Sequence, residues 1–276
     1  MPKPVLLVRP ESSTGGNERD AKALAELAID SVIDPYLTVS TVSDSSEANA
    51  LLREFSTAQW LVFTSARAVA SFVELVDGGP SSGNLGQQLE SSPNLRIGLV
   101  GQNTRDEFIK LFGAAVGLSG FHSSRLHLAP EPASSESLAR EIIRVTEAAG
   151  ESPGTVLFAK SNIALNTLPD LLTRSQFEVN QAVVYETREV SHPRTVNGLA
   201  NGEFSAVLLR SPSAVWAVRK VAPQINAKIV TTAGATLQAA LEAGFVVDEF
   251  SESPTAEAVA QAVAKALATP SQKDPA

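Results

Sequence analysis

The chain has no cysteine, and only three histidines, two tyrosines and two tryptophans among 276 residues. Without cysteine there is no disulfide framework, no thiolate nucleophile, no cysteine-ligated zinc and no iron–sulfur cluster. His122, His127 and His192 stand in no HExxH or other ligand spacing, so neither a histidine metal site nor a histidine-based triad is expected, and the bland reading is solvated loop histidines. Long apolar runs are also missing. Nothing approaches the roughly 20 residues that cross a bilayer, and the opening MPKPVLLVRPE has neither the apolar core nor the cleavage site of a signal peptide. A cytoplasmic protein with no membrane attachment is therefore expected. Positive charge is the minority sign, 22 basic against 30 acidic residues for a net charge of −8, which argues against a nucleic-acid surface but leaves room for a local anion site. The glycine patterns GxGxxG and GxxxxGK[ST] and the nucleophile elbow GxSxG are absent, so dinucleotide binding, Walker-type phosphate binding and serine hydrolysis are unsupported.

What the chain does contain is a repeat. LVFTSARAVASFVELV (61–76) is echoed by VLLRSPSAVWAVRKV (207–221), IGLVGQNTRDEFIKLFGAAV (97–116) by IVTTAGATLQAALEAGFVV (229–247), and APEPASSESLAREI (129–142) by SESPTAEAVAQAV (251–263). Each copy opens on a similar strand, VLLVRP (5–10) and VLFAKS (156–161). The separation between matched landmarks shrinks steadily from Arg9–Lys160 through Ser65–Ser211 and Thr104–Thr236 to Glu136–Glu257, so the first copy is longer. Its extra residues fall in the turn-rich stretches GGPSSGN (78–84) and GLSGFHSS (117–124), where surface loops absorb insertions.

Short Val/Ile/Leu strands alternate with helical patterns. Strands are expected at 5–8, 32–35, 59–64, 96–100, 155–159, 178–184, 205–210 and 227–232, and helices at 17–29, 46–56, 66–76, 103–113, 134–148, 162–174, 212–221, 235–243 and 254–267. This alternation defines an α/β protein with parallel sheets covered by helices. Helix starts carry Ser134 or Ser135, Thr104 and the Ser253-Pro254-Thr255 group as caps. The tail 269–276, with two prolines, is expected to be disordered. Two repeated units could pack as consecutive halves, about 1–150 and 151–276, or interlock; periodicity alone does not choose between them.

Either way, the repeated turns sit at the carboxyl ends of parallel strands, where open α/β sheets bind ligands. Three turn types recur: strand, Ser65-Ala66 or Ser211-Pro212-Ser213, helix; strand, Gly101 to Thr104 or Ala233 to Thr236, helix; and a strand ending in a cation, Arg9 or Lys160. A helix start offers unpaired N–H groups and the positive end of the macrodipole, so it holds an anion without a cationic side chain. One such hydroxyl alone is an ordinary cap; matched pairs suit a ligand with several carboxylates or phosphates. EVNQAVVYETREVSHP (178–193) reads as a strand that leaves one domain for another, and its Tyr185 is either a general acid or an amphipathic residue packed at a junction.

The ordered series LLVRP, VFTSARAV, VGQNT, YET, LLRSPSAV, GATLQAALEAGF and ESPTAEAVAQAVAKAL resembles the uroporphyrinogen-III synthase family over nearly the whole chain. That resemblance implies the interlocked arrangement: two similar flavodoxin-like domains, one built from 1–38 plus 188–276 and the other from 39–187, joined by a two-stranded linker with the substrate in the cleft. It implies a cofactor-free, metal-free lyase of tetrapyrrole (heme) biosynthesis, a monomer that closes hydroxymethylbilane to uroporphyrinogen III and inverts the last pyrrole ring through a spiro intermediate. By the same resemblance Arg9, Ser65, Thr104, Ser211 and Thr236 match substrate-binding positions, and Tyr185 the tyrosine discussed as acid. A transient contact with hydroxymethylbilane synthase follows from the order of the reactions alone. The chain departs from the family at Ser161, where glycine is frequent, at Leu165, where arginine is, and at Ala233, the position of the second GxxT glycine. Two competing expectations stand beside the synthase reading: a non-catalytic two-domain binding protein for a small anion, which shares the hinge but lacks the chemistry, and an inactive or regulatory relative of the synthase, which those departures motivate.

Overall fold

The computed structural model describes residues 2–10, 16–77, 85–116 and 123–269. The insertion 78–84, most of 117–124 with His122, and the tail from residue 270 onward lie outside the described residues. In chain order the first elements are β1 (Val5–Leu7), α1 (Gly16–Glu26), β2 (Ser31–Ile33), β3 (Leu37–Thr41), α2 (Ser46–Arg53), β4 (Trp60–Phe63), α3 (Ala66–Asp77) and α4 (Leu85–Glu90). There follow β5 (Arg96–Leu99), α5 (Gln102–Val116), a 3₁₀ turn (Ser123–Arg125), β6 (Leu126–Leu128), α6 (Ser135–Ala148), β7 (Thr155–Ser161), α7 (Thr167–Arg174) and β8 (Glu178–Glu189). The last are α8 (Val196–Asn201), β9 (Ala206–Leu209), α9 (Pro212–Val221), β10 (Lys228–Thr232), α10 (Ala235–Glu242), β11 (Glu249–Ser251) and α11 (Ala256–Ala268).

The chain divides into two units, the first comprising Met1–Val39 with Arg188–Ala276 and the second Ser40–Thr187. The chain passes from one to the other twice, within β3 and within β8, which are neighbours in one sheet. Val42 N–H donates to Val184 O at one end of that pair and Val190 N–H to Tyr36 O at the other. One residue number rises as its partner's falls, as in an antiparallel pair.

The sheet of the first unit runs β11-β10-β9-β1-β2, and the larger sheet runs β3-β8-β7-β4-β5-β6. Apart from β3, all the strand pairings given by register are parallel. Matching β9, β10 and β11 to β4, β5 and β6, and β1 and β2 to β7 and β8, superposes the two orders strand for strand, so the sequence repeat is a repeat of topology. Read from β2, the first unit has the doubly wound 2-1-3-4-5 order, and its switch point falls between β1 and β9. The equivalent point in the second unit falls between β7 and β4.

The strands β1, β4 and β9 are buried on both faces, which is why their sequences are continuously apolar rather than alternating. In β4, Leu61 and Phe63 pack with α2, α3 and α5 residues, while Trp60 and Val62 pack with α6 and α7 residues. In β1, Leu6 joins one core and Val5 and Leu7 the other, as the period of two requires. Phe63 sits among Phe72, Phe108 and Phe112 at centroid separations of 5.7–6.3 Å.

The expected elements are present with shifted bounds, and six others were not read from the sequence: β3, α4, the 3₁₀ turn, β6, α8 and β11. All are short, and LHL, EFS and LTVST interleave polar residues that only their pairing holds extended. The helix expected at 162–174 starts at Thr167, because Ser161 accepts a hydrogen bond from Ile163 N–H at 3.2 Å and the chain turns there first. Thr104 does not cap α5, which begins two residues earlier. Ser134 does cap α6, through a reciprocal capping box with Ser137, and Thr255 accepts from Ala258 N–H at the start of α11.

Candidate functional site

In the second unit, the parallel register aligns the turns along one sheet edge. Phe63 pairs with Leu99 and with Ala159, so two residues further on Ser65 lies level with Gly101 on one side and Ser161 on the other. Ser161 in turn pairs with Tyr185 across an irregularity in the β7–β8 ladder. The structure therefore brings Ser65 and Tyr185 together, the Ser65 Oγ standing 3.2 Å from the Tyr185 phenol oxygen. Ser65 also accepts from Ala68 N–H at 3.1 Å, so it caps α3 and holds the phenol at once. The ring of Tyr185 packs partly buried against the core below.

The backbone that carries Tyr185 is fixed by Asn162, a residue the sequence did not single out. Asn162 N–H donates to Tyr185 O at 3.2 Å, its amide nitrogen donates to Thr187 O at 3.2 Å, and its amide oxygen accepts from Thr187 N–H at 2.8 Å. Lys160 is half-buried, and its ammonium donates to Gln181 Oε1 at 2.8 Å. Ile163 and Leu165 are exposed on the connection that follows.

Gly101 takes φ +77 immediately before α5, with nothing within 4 Å of where a Cβ would stand. Glycine is the residue that adopts this left-handed conformation without strain. The second copy does the same with Gly234, φ +68, the N-cap of α10. Ala233 is therefore no loss of the turn glycine: the glycine has moved one position, and Thr236 follows Gly234 by two residues where Thr104 follows Gly101 by three. Both threonines are buried, at 3% and 5% exposure. The exposed groups at the two helix starts are instead those of Gln102 and Asn103, and of Gly234 and Ala235.

In the first unit, Ser211 caps α9 by accepting from Ala214 N–H at 3.2 Å, with Pro212 in the first helical position and Ser213 Oγ 3.1 Å from the cap oxygen. Arg9 is held by α1: Asn17 donates its amide to Arg9 O at 3.0 Å, and a Cβ on Gly16 would come within 2.6 Å of the guanidinium. Arg9 Nη1 lies 3.4 Å from Asp20 Oδ2. A second guanidinium, Arg210, also donates to Asp20, through the other carboxylate oxygen, and donates to Pro254 O. Burial pushes the Arg210 guanidinium below its ordinary pKa, Asp20 opposes that shift and Arg9 adds to it. Sequence reading missed both residues, although each left a signal: Arg210 directly precedes the repeated serine, and Asp20 interrupts the buried row of α1 between Asn17 and Ala23.

Each unit is thus a flavodoxin-like α/β layer with hydroxyls, helix starts and cations collected at the carboxyl edge of its sheet, groups whose chemistry is that of donors to an anion. The model of the uroporphyrinogen-III synthase HemD family matches residues 18–261. The chain belongs to that family. A mutant uroporphyrinogen III synthase from Thermus thermophilus is similar in structure, with a TM-score of 0.62 at 15% identity, over 96% of this chain and 98% of that one. Uroporphyrinogen-III synthetase from Helicobacter pylori gives a TM-score of 0.60 at 14% identity, over 95% and 99%. At such identities the likeness carries the fold. No curated protein matches the chain. Among the described residues, no helix is long and apolar enough to cross a membrane.

Proposed function

We propose that the protein is a uroporphyrinogen-III synthase, a cofactor-free lyase that closes hydroxymethylbilane with inversion of its last ring. The observation that carries this reading is the pairing of Tyr185 with Ser65, in a chain of this family, at the edge where Gly101 opens a helix start. The Tyr185 phenol, positioned by Ser65, donates a proton to the hydroxyl leaving the first pyrrole ring, and water departs. The azafulvene left behind is attacked by the substituted carbon of the last ring, and the resulting spiro intermediate fragments and recloses with that ring inverted. The phenolate recovers a proton from the ring carbon that loses one, so the balance is one bilane to one macrocycle and one water.

The bilane also closes unaided to the uninverted isomer I, so the protein's main task is to hold one conformer, an effect of orientation. One unit offers Ser65, Ala66, Gly101 and Lys160 as N–H, hydroxyl and cationic donors for carboxylates; the other offers Arg9, Ser211, Ser213 and the Gly234 turn, with Pro212, which has no N–H to give, setting the first turn of α9. Thr104 and Thr236 act beneath these helix starts rather than on the ligand. Purified protein mixed with freshly made hydroxymethylbilane, followed by separation of the isomers, tests the reading: isomer III supports it, and isomer I alone at the unaided rate overturns it.

A further inference from the structure

Carried two residues past its last pair, Leu7 with Leu208, the parallel register sets Arg9 level with Arg210, and both guanidiniums reach Asp20. This is the switch point of the first unit's sheet, the position at which open α/β sheets as a class bind ligands. Two like-charged guanidiniums side by side repel, and they stay together here because both donate to one carboxylate, that of Asp20. Asp20 is 2% exposed, on the inner face of α1. One carboxylate neutralises one of the two cations, and the trio keeps a formal charge of +1. Arg9 is the more open of the pair, its side chain 29% exposed against 13% for Arg210. In the second unit the position equivalent to Arg210 is Thr64, and Lys160, equivalent to Arg9, stands there as a single ammonium on Gln181.

We propose that Asp20 is a positioning residue that holds Arg9 and Arg210 as a cationic seat, and that this seat takes a carboxylate of the ligand through Arg9. This deepens the synthase reading and rests on it for the identity of the natural ligand. A guanidinium held by a buried acid keeps its fork oriented, so little side-chain freedom is lost when a second carboxylate arrives. Arg210 contributes the charge that Asp20 alone would otherwise cancel. It also ties the seat to the start of α11 through Pro254 O.

The test uses the full chain with uroporphyrin, a tetrapyrrole polycarboxylate that does not react, and its methyl ester, which lacks the carboxylate charge. Wild-type protein is expected to bind uroporphyrin and not the ester, with affinity falling as salt rises. Arg9→Gln should weaken uroporphyrin binding about tenfold, as loss of one charge-assisted hydrogen bond does, and flatten the salt dependence. Arg210→Lys should recover more of the binding than Arg210→Gln. In the bilane assay Arg9→Gln should raise KM more than it lowers kcat. Asp20→Asn probes the positioning role, and Arg9→Gln, which leaves the buried acid paired with Arg210, keeps the test informative if Asp20→Asn does not fold. Unchanged affinity and salt dependence in Arg9→Gln overturn the seat. A wild type that binds uroporphyrin with these dependences but makes no isomer III sinks the synthase reading and leaves the seat standing.

Discussion

Replacing Tyr185 by phenylalanine removes one oxygen and little else. The ring stays packed on the core, and Ser65 keeps its bond from Ala68 N–H, so the loss to folding is a single partly buried hydrogen bond. Such a bond contributes about 0.5–1.5 kcal/mol, and the melting temperature should fall by no more than about 5 °C. Activity should change far more. A positioned general acid contributes about 10²–10⁴-fold, and because hydroxymethylbilane also loses its hydroxyl unaided, the lower end applies: kcat for isomer III should drop about 10²-fold without vanishing. Ser65→Ala separates position from chemistry. It removes a helix cap worth about 1 kcal/mol and leaves the phenol without its neighbour, so stability should fall as much or more while turnover falls less. The assay is initial-rate isomer III formation alongside thermal unfolding of each variant. Full turnover in Tyr185→Phe would refute the acid role, and collapse of its melting temperature would refute the packing argument.

Gly101→Ala and Gly234→Ala meet no steric neighbour, so each measures backbone strain alone. Gly234, at φ +68 and ψ −131, lies close to a region that is essentially glycine's own, and its replacement should cost about 1–3 kcal/mol in urea unfolding; an unchanged midpoint would show that the turn relaxes freely. His127 packs edge-on against Trp60 at 5.0 Å, and burial holds its pKa below the ordinary 6.5, an effect that Glu141 opposes and Arg96 and Arg144 reinforce. The unfolded chain then takes up the proton first as pH falls, so the histidine's contribution is fully present above about pH 6.5 and is lost below it. Urea midpoints measured from pH 7.5 down to 5.5 should fall in wild type and fall less in His127→Phe; parallel curves would contradict the assignment.

Both sheets and the pairing of their turns were legible in the repeat, because β1, β4, β7 and β9 are apolar on both faces and strand identity follows from that composition alone. The short strands β6 and β11 were not, since LHL and EFS carry no period and are extended only because β5 and β10 pair with them. At the site, Ser65 and Tyr185 were each visible as residues, but their contact comes from the register of β4, β7 and β8 and from a ladder irregularity at Lys160–Ser161 that no spacing rule encodes. Thr104 and Thr236 were read as presented hydroxyls, and burial turns them inward. Arg210 stayed hidden because its meaning depends on Arg9, two hundred residues away in sequence and adjacent only once β1 pairs with β9.

The most direct measurement follows both isomers over time at increasing concentrations of the protein, starting from freshly prepared hydroxymethylbilane. The synthase reading predicts that the rate of isomer III formation rises in proportion to protein while the yield of isomer I falls. An isomer I rate that ignores the protein, with no isomer III at any concentration, would contradict it.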